Sequence, residues 1–565
     1  MSFPSDLEIA RSAVPRPLGE IAAGMGIDAD LLEPYGSHVA KVDLAAIERL
    51  ADRPPARYVL VSAITPTPLG EGKTTTAVGL AQAFGKLGRR ATLTLRQPSM
   101  GPTFGIKGGA AGGGYSQVIP METFNLHLTG DMHAVTAAHN LLAAMVDNHL
   151  FRRSDLSLDP HRISWRRVLD VNDRSLRNIV VGLGGKEDGR PRQTGFDITA
   201  ASEVMAVLGL ARSLPDLRER LGRMVVGWSY DGEMVTAEQV GAAGSMAVIL
   251  KEAIKPNLLQ TLEGTPVLVH TGPFGNIAHG NSSVVADLIG IRTGEFLITE
   301  AGFGSDMGAE RFFNVKSPVS GLRPDAVVIV ATVRALKVHS GRFRVVAGRP
   351  LPDDLLAESP DDVTAGAANL RKHIQIVKTH GVSPIVAINA FPTDHASEHD
   401  AIRRIAEEAG VPSAVTLHYT EGGAGAVDLA GVVEEACGRP SEYRPLYTGD
   451  TALRDKIEAV AKWVYGARDV IYDHEASRQL DYLEAHGFRH LGVCIAKTHL
   501  SISSDPKLKG APSGWTLPVR EVRASVGAGF VYAICGDMRT MPGLSSHPAA
   551  ESIDLDEHGE IVGLS

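Results

Sequence analysis

Short apolar runs recur along this chain and stop at loops rich in Gly, Asn or Pro. They cover residues 58–64, 91–95, 179–183, 266–270, 326–332, 384–389, 492–497 and 530–536. Runs of this length without polar alternation predict strands buried on both faces. Between them the spacing shifts to the helical period. Residues 73–87 put Ala77, Leu80, Ala81, Phe84 and Leu87 on one face, and 131–150 group Val135, Ala138, Leu141, Leu142 and Met145. Shorter helical stretches fall at 370–380 and 401–409. Strand, loop and helix in alternation predict an α/β fold on a mainly parallel sheet flanked by helices. Ligands of such sheets lie beyond the carboxyl ends of the strands, where the unusual loops of this chain fall.

Two proline-bearing breaks interrupt the pattern, an acidic one at 349–362, beginning at Arg349, and another at 438–445. They predict a large nucleotide-binding domain over 1–365, a second, smaller α/β domain over 366–500 and a small C-terminal unit over 501–565. At 565 residues and 44% hydrophobic content the chain has enough apolar material for several cores. A net charge of −9 gives no general attraction for nucleic acid. Cys437, Cys494 and Cys535 are too few and too widely spaced for a disulfide framework or a zinc site, which fits a reducing cytoplasm. No apolar run reaches the ~20 residues that span a membrane, and no secretory signal opens the chain.

The first apolar run leads into Thr67-Pro68-Leu69-Gly70-Glu71-Gly72-Lys73-Thr74, followed by the first helix. Strand, glycine loop, Lys-Thr and helix form the phosphate-binding P-loop arrangement. Backbone N–H groups cradle phosphates, lysine reaches the β/γ-phosphates and a hydroxyl binds Mg²⁺. This predicts a P-loop NTPase-like fold, although Thr67 stands where the usual pattern has its first glycine. Arg96 follows the second run and suits a carboxylate or a transferring phosphoryl group. The cluster Gly108–Gly114 lets backbone approach a ligand closely. His127, His133 and His139 recur at intervals of six, too far apart for two ligands on one helical turn. His127 remains a candidate active-site polar group, while Thr129 and Asp131 suit a helix cap. Phe303 and Phe391, each in a loop after a strand, suit a flat ring ligand. On these residues alone, a partner-dependent P-loop ATPase or a ligase of another small acid fits equally.

Taken together, the segments 5–10, 65–76, 101–117, 272–283, 299–315, 331–338, 369–394, 496–506 and 536–543 resemble formate–tetrahydrofolate ligases nearly end to end. The glycine-rich stretch and Ala387-Ile-Asn-Ala-Phe-Pro-Thr-Asp394 are the most specific blocks. The resemblance implies ATP-dependent formylation of N10 of tetrahydrofolate through formyl phosphate. Lys73 and Arg96 are then catalytic, with His127 beside them, and Thr74 is a ligand of the Mg²⁺ carried by ATP. Phe303, Phe391 and Pro392 would hold the pterin, with Tyr419 where the family has tryptophan. The family's glutamate after the arginine is Gln97 here, which puts activation by K⁺ or NH₄⁺ in doubt. A family lysine is Glu421 here, which puts a preference for polyglutamylated folate in doubt. The resemblance also implies a homotetramer.

Overall fold

A computed structural model describes residues 3–68, 70–107, 110–152, 155–346 and 350–564. Leu69, Gly108, Gly109 and Arg349, named above, lie outside the described residues. The centre is a mixed sheet of twelve strands among the described residues. Seven of them run parallel: Arg57–Ala63 (β1), Ala91–Leu95 (β2), Pro266–Val269 (β3), Phe296–Glu300 (β4), Ala326–Ala331 (β5), Ser383–Asn389 (β6) and Ser413–Thr416 (β7). Their spatial order is β3-β2-β4-β1-β5-β6-β7. Antiparallel strands Asn257–Thr261, Ala40–Val42 and Leu32–Pro34 extend the sheet beyond β3.

Both faces of the parallel strands are covered, so alternate residues enter different cores. Val59, Val61, Val328 and Val330 pack with Leu80, Ala81 and Phe84 of the helix Lys73–Lys86 (α1). Tyr58, Leu60, Val327 and Ile329 pack on the other side with Phe312, Leu336 and Leu370. This explains the apolar runs without alternation. Leu87 falls just past the end of α1 and is exposed, against expectation. A helix cannot reach the core with a residue beyond its last turn. The run 179–183 also departs from its reading. Among the described residues, Ile179–Val181 pairs only with Arg192–Thr194, in a small two-stranded ribbon whose residues are half-buried or exposed. In the helix Asp131–Arg152 (α2), Asp131 ion-pairs with Lys41 at 2.7 Å, both buried, and Thr129 donates to Asn257. Both side chains are spent on tertiary contacts instead of capping.

The sheet continues through β6 and β7, so the boundary expected near residue 365 falls inside it. The acidic break is an insertion between β5 and the helix Ala367–Thr379 that leads to β6. The boundary at 500 likewise falls within one unit. Gly492–Ala496 pairs in parallel with Phe530–Ile534, around a core that includes Ile457, Leu480, Val493 and Val531. This C-terminal part is tied to the main body by the buried pair Lys497–Asp306 at 2.8 Å and by Arg311, which donates to the Ile495 carbonyl at 2.7 Å. No helix among the described residues is long and apolar enough to cross a membrane.

Candidate active site

Among the described residues, every sequence-predicted site residue except His127 sits on a segment that leaves the carboxyl end of a parallel strand. The phosphate loop follows β1. Gly72 stands at φ 72° as the N-cap of α1, and no side chain caps the first turn. The first N–H groups of the helix are therefore available to an anion. Gly72 is required twice, because a Cβ there would also lie 2.5 Å from Asn389 Nδ2. That amide donates to the Glu71 carbonyl at 3.0 Å and pins the loop to the end of β6.

Thr67 is not among the residues with positive φ, so its position has no need of glycine. Its N–H and hydroxyl both donate to Glu71 Oε1, at 2.9 and 3.0 Å. Burial pushes the Glu71 carboxyl up, while the charges of Lys73 and Arg334 and the Thr67 bonds oppose that shift. The departure at Thr67 thus closes the loop through a side chain. Before it, Thr65 is held on three sides. Asn369 Oδ1 accepts its N–H at 3.1 Å, His373 Nε2 lies 2.9 Å from its hydroxyl and His339 Nε2 lies 2.9 Å from its carbonyl.

Arg96 lies just beyond β2, but β2 is not adjacent to β1, because β4 runs between them. What joins the two ends is Glu300, the last residue of β4. Thr74 Oγ1 donates to Glu300 Oε2 at 2.6 Å, and Arg96 Nη2 lies 3.5 Å from Glu300 Oε1. Buried polar atoms gather around this point without protein partners among the described residues. They include Arg96 Nε, both amide atoms of Gln97, Thr271 Oγ1, Asn276 Oδ1, both ring nitrogens of His279 and Asn281 Oδ1. A buried polar group left unpaired costs about 1–3 kcal/mol. Such a concentration at the ends of β2 and β3 leaves donors and acceptors that a polar ligand or water would satisfy. Burial, with Lys316, Arg96 and Arg311 nearby, drives His279 well below the usual imidazole range and keeps it neutral.

The aromatic residues are placed separately. Phe303 has φ 59°, a strained conformation for a bulky side chain. Its ring lies against Gly275, where a Cβ would come within 2.7 Å, and stacks on His499 at 4.7 Å between ring centres. The Arg334 guanidinium sits 3.6 Å over the Phe391 ring. The Phe391 N–H donates to Asp394 at 2.9 Å, and Pro392 is exposed beside it. Tyr419 stacks on Phe3 at 5.5 Å and donates to Asp6 at 3.2 Å. Its carbonyl accepts the Tyr115 N–H, and Gly114 packs so closely that a Cβ would stand 2.0 Å from it. His127 is exposed and shares a 2.9 Å hydrogen bond with His133. Glu300, Arg334 and His499 were not singled out from sequence. For Glu300 a signal existed: a carboxylate closing a strand of otherwise uncharged residues.

Fold and side chains first define a class. This is an α/β protein with a glycine loop leading into a helix whose first turn no side chain caps, an arginine–carboxylate pair and loop aromatics, all beyond the carboxyl ends of the parallel strands. The sequence profile of formate–tetrahydrofolate ligase matches residues 4–565. The chain is 70% identical to the formate–tetrahydrofolate ligase of Saccharopolyspora erythraea over 565 residues, the whole of both chains. It is 67% identical to formate–tetrahydrofolate ligase 1 of Rubrobacter xylanophilus over 570 residues, 99% of each chain. It is 63% identical to that of Cutibacterium acnes over 560 residues, 99% of this chain and 100% of the relative. The chain belongs to the formate–tetrahydrofolate ligase family.

Proposed function

We propose that this protein joins formate to N10 of tetrahydrofolate with ATP, releasing ADP and phosphate, through formyl phosphate. The strand, loop and helix at β1 are read as P-loop NTPase-like. The observation that carries the reading is the meeting of Thr74 and Arg96 on Glu300. It supports a reading in which the triphosphate end of a nucleotide lies beside a guanidinium suited to a carboxylate.

Formate is a poor electrophile, because attack on it would have to expel oxide. Phosphorylation converts that oxygen into phosphate, a competent leaving group. Lys73 offsets charge on the transferring phosphoryl group, and the α1 N–H groups hold the remaining phosphates. Arg96 orients formate, then stabilises the charge on formyl phosphate and on the tetrahedral adduct formed by N10. Thr74 and Glu300 offer a hydroxyl and a carboxylate, the hard oxygen donors Mg²⁺ takes, and would hold it. Bound there, the ion would neutralise phosphate charge. Phe303, Phe391 with Pro392, and Tyr419 hold the pterin, and His127 with His133 supplies a polar rim. A cytoplasmic homotetramer completes the reading and rests on the resemblance.

The test is formation of 5,10-methenyltetrahydrofolate, read by absorbance after acid quench, with each substrate omitted in turn. Product that requires Mg-ATP, formate and tetrahydrofolate together is the expected result. ATP turnover indifferent to formate and folate would overturn the reading.

A further inference from the structure

Glu300 belongs to neither half of the site alone. It ends β4, which pairs with β1 on one side and β2 on the other. Its side chain is only 6% exposed, so its charge needs partners. The two it has are unequal. The bond from Thr74 is short, at 2.6 Å, whereas Arg96 stands 3.5 Å away, an ion pair beyond ordinary hydrogen-bond length. Arg96 also keeps a buried Nε without a protein partner. Its capacity for an anion is largely unspent, and Glu300 is the carboxylate that competes for it. Two residues further on, Gly302 makes room for the guanidinium, since a Cβ there would lie 3.1 Å from Arg96 Nη1.

We propose that Glu300 is a positioning residue that couples occupancy of the phosphate loop to formate binding at Arg96. This inference rests on the function proposed above. While the loop is empty, the Glu300 carboxylate offsets the positive charge of Arg96 and weakens it toward formate. When Thr74 and Glu300 turn their oxygens to the metal that accompanies the nucleotide, that charge is drawn off Arg96. The guanidinium is then open to a second carboxylate, that of formate. Linkage requires reciprocity, so formate tightens the metal–nucleotide complex by the same factor.

The experiment is calorimetric titration of the intact protein, wild type and Glu300→Gln. ADP is titrated with and without Mg²⁺, and formate with and without Mg-ADP. In the wild type, Mg²⁺ tightens ADP, and Mg-ADP tightens formate on the order of tenfold. In Glu300→Gln both enhancements collapse, and formate alone binds several-fold tighter than to the wild type. Loss of a merely structural residue would weaken formate in every state. Glu300→Asp keeps the charge but shortens the reach, and is expected to lose the enhancement too; it replaces the amide variant if that does not fold. Wild-type enhancements in either variant overturn the proposal. So does nucleotide-free formate binding to Glu300→Gln that is no tighter than to the wild type. Should the wild type bind no formate in any state, the ligase reading fails. The Mg²⁺ dependence of ADP binding still decides whether Glu300 serves the phosphate loop.

Discussion

Thr74, Glu300 and Arg96 meet through direct contacts, whereas Phe303, Phe391 and Tyr419 each lie against a different partner: His499, Arg334 and Phe3. The first group leaves adjacent strands of one buried sheet, and backbone register sets its spacing. The second comes from three loops spread over more than a hundred residues, two of its rings packed against basic side chains. Charge transfer to a small anion needs fixed geometry, because a guanidinium misplaced by an ångström loses most of its value. Stacking on a flat ring tolerates small displacement. The difference teaches that the sheet register holds the first group together, whereas each ring of the second is held by its own local packing.

The most severe test of that contrast is Arg96→Ala. It should cost on the order of 2–4 kcal/mol of transition-state stabilisation, as for one lost oxyanion donor. Steady-state rates with saturating ATP and folate measure it. Loss confined to the folate KM would erase the distinction between the two halves.

Acid should next separate them through stability. His339 and His373, which hold Thr65 at the start of the phosphate loop, are pushed down by burial from 6.5 to about 4. Both are neutral in the folded protein and take protons in the unfolded chain below its pKa. The stability they contribute is therefore complete above pH 6.5 and is lost as pH falls toward 4. Near pH 5.5 the loss is roughly 1.4 kcal/mol for each histidine. Thermal midpoints across this range check the slope, and His373→Gln should flatten it. A slope unchanged in that variant would remove His373 as its source.

Phe391→Ala sharpens the other side. Removing the ring should raise the tetrahydrofolate KM by about 1 kcal/mol, on the order of fivefold, with the formate KM unchanged. A parallel rise in the formate KM would mean that Arg334, freed from the ring, disturbs Glu71 and the phosphate loop.

The same contrast governs what could be read from the chain. The parallel sheet was legible because strands covered on both faces are largely apolar, as β5 is throughout. The phosphate loop was legible because its residues are consecutive. Strand order was not, since nothing in β1 or β2 says that β4 inserts between them. Glu300 consequently escaped notice, although Thr74 and Arg96 did not. The boundary near 365 misled because an acidic, proline-bearing insertion has the same composition as a linker. Phe303 and Phe391 stood out as aromatics in loops after strands, and their pterin role came from the family resemblance; their partners His499 and Arg334 carry no local pattern and emerge only from the packing.

The smallest effect concerns Gln97, beside Arg96. Its side chain is 2% exposed, and neither amide atom has a protein partner. Its N–H donates to the Thr271 carbonyl at 2.6 Å, which fixes the backbone. A carboxylate in this place would be a buried charge in need of a cation, whereas an amide carries no such charge. Adding NH₄⁺ or K⁺ at constant ionic strength should therefore change the wild-type rate by less than about twofold. Gln97→Glu should make the rate depend on the added cation. A large gain in the wild type would show that the site draws its cation by carbonyl and hydroxyl oxygens, with Thr271 and Asn276 the first to examine. Silence in both proteins would mean that the pocket next to Arg96 is kept for the reacting anion alone.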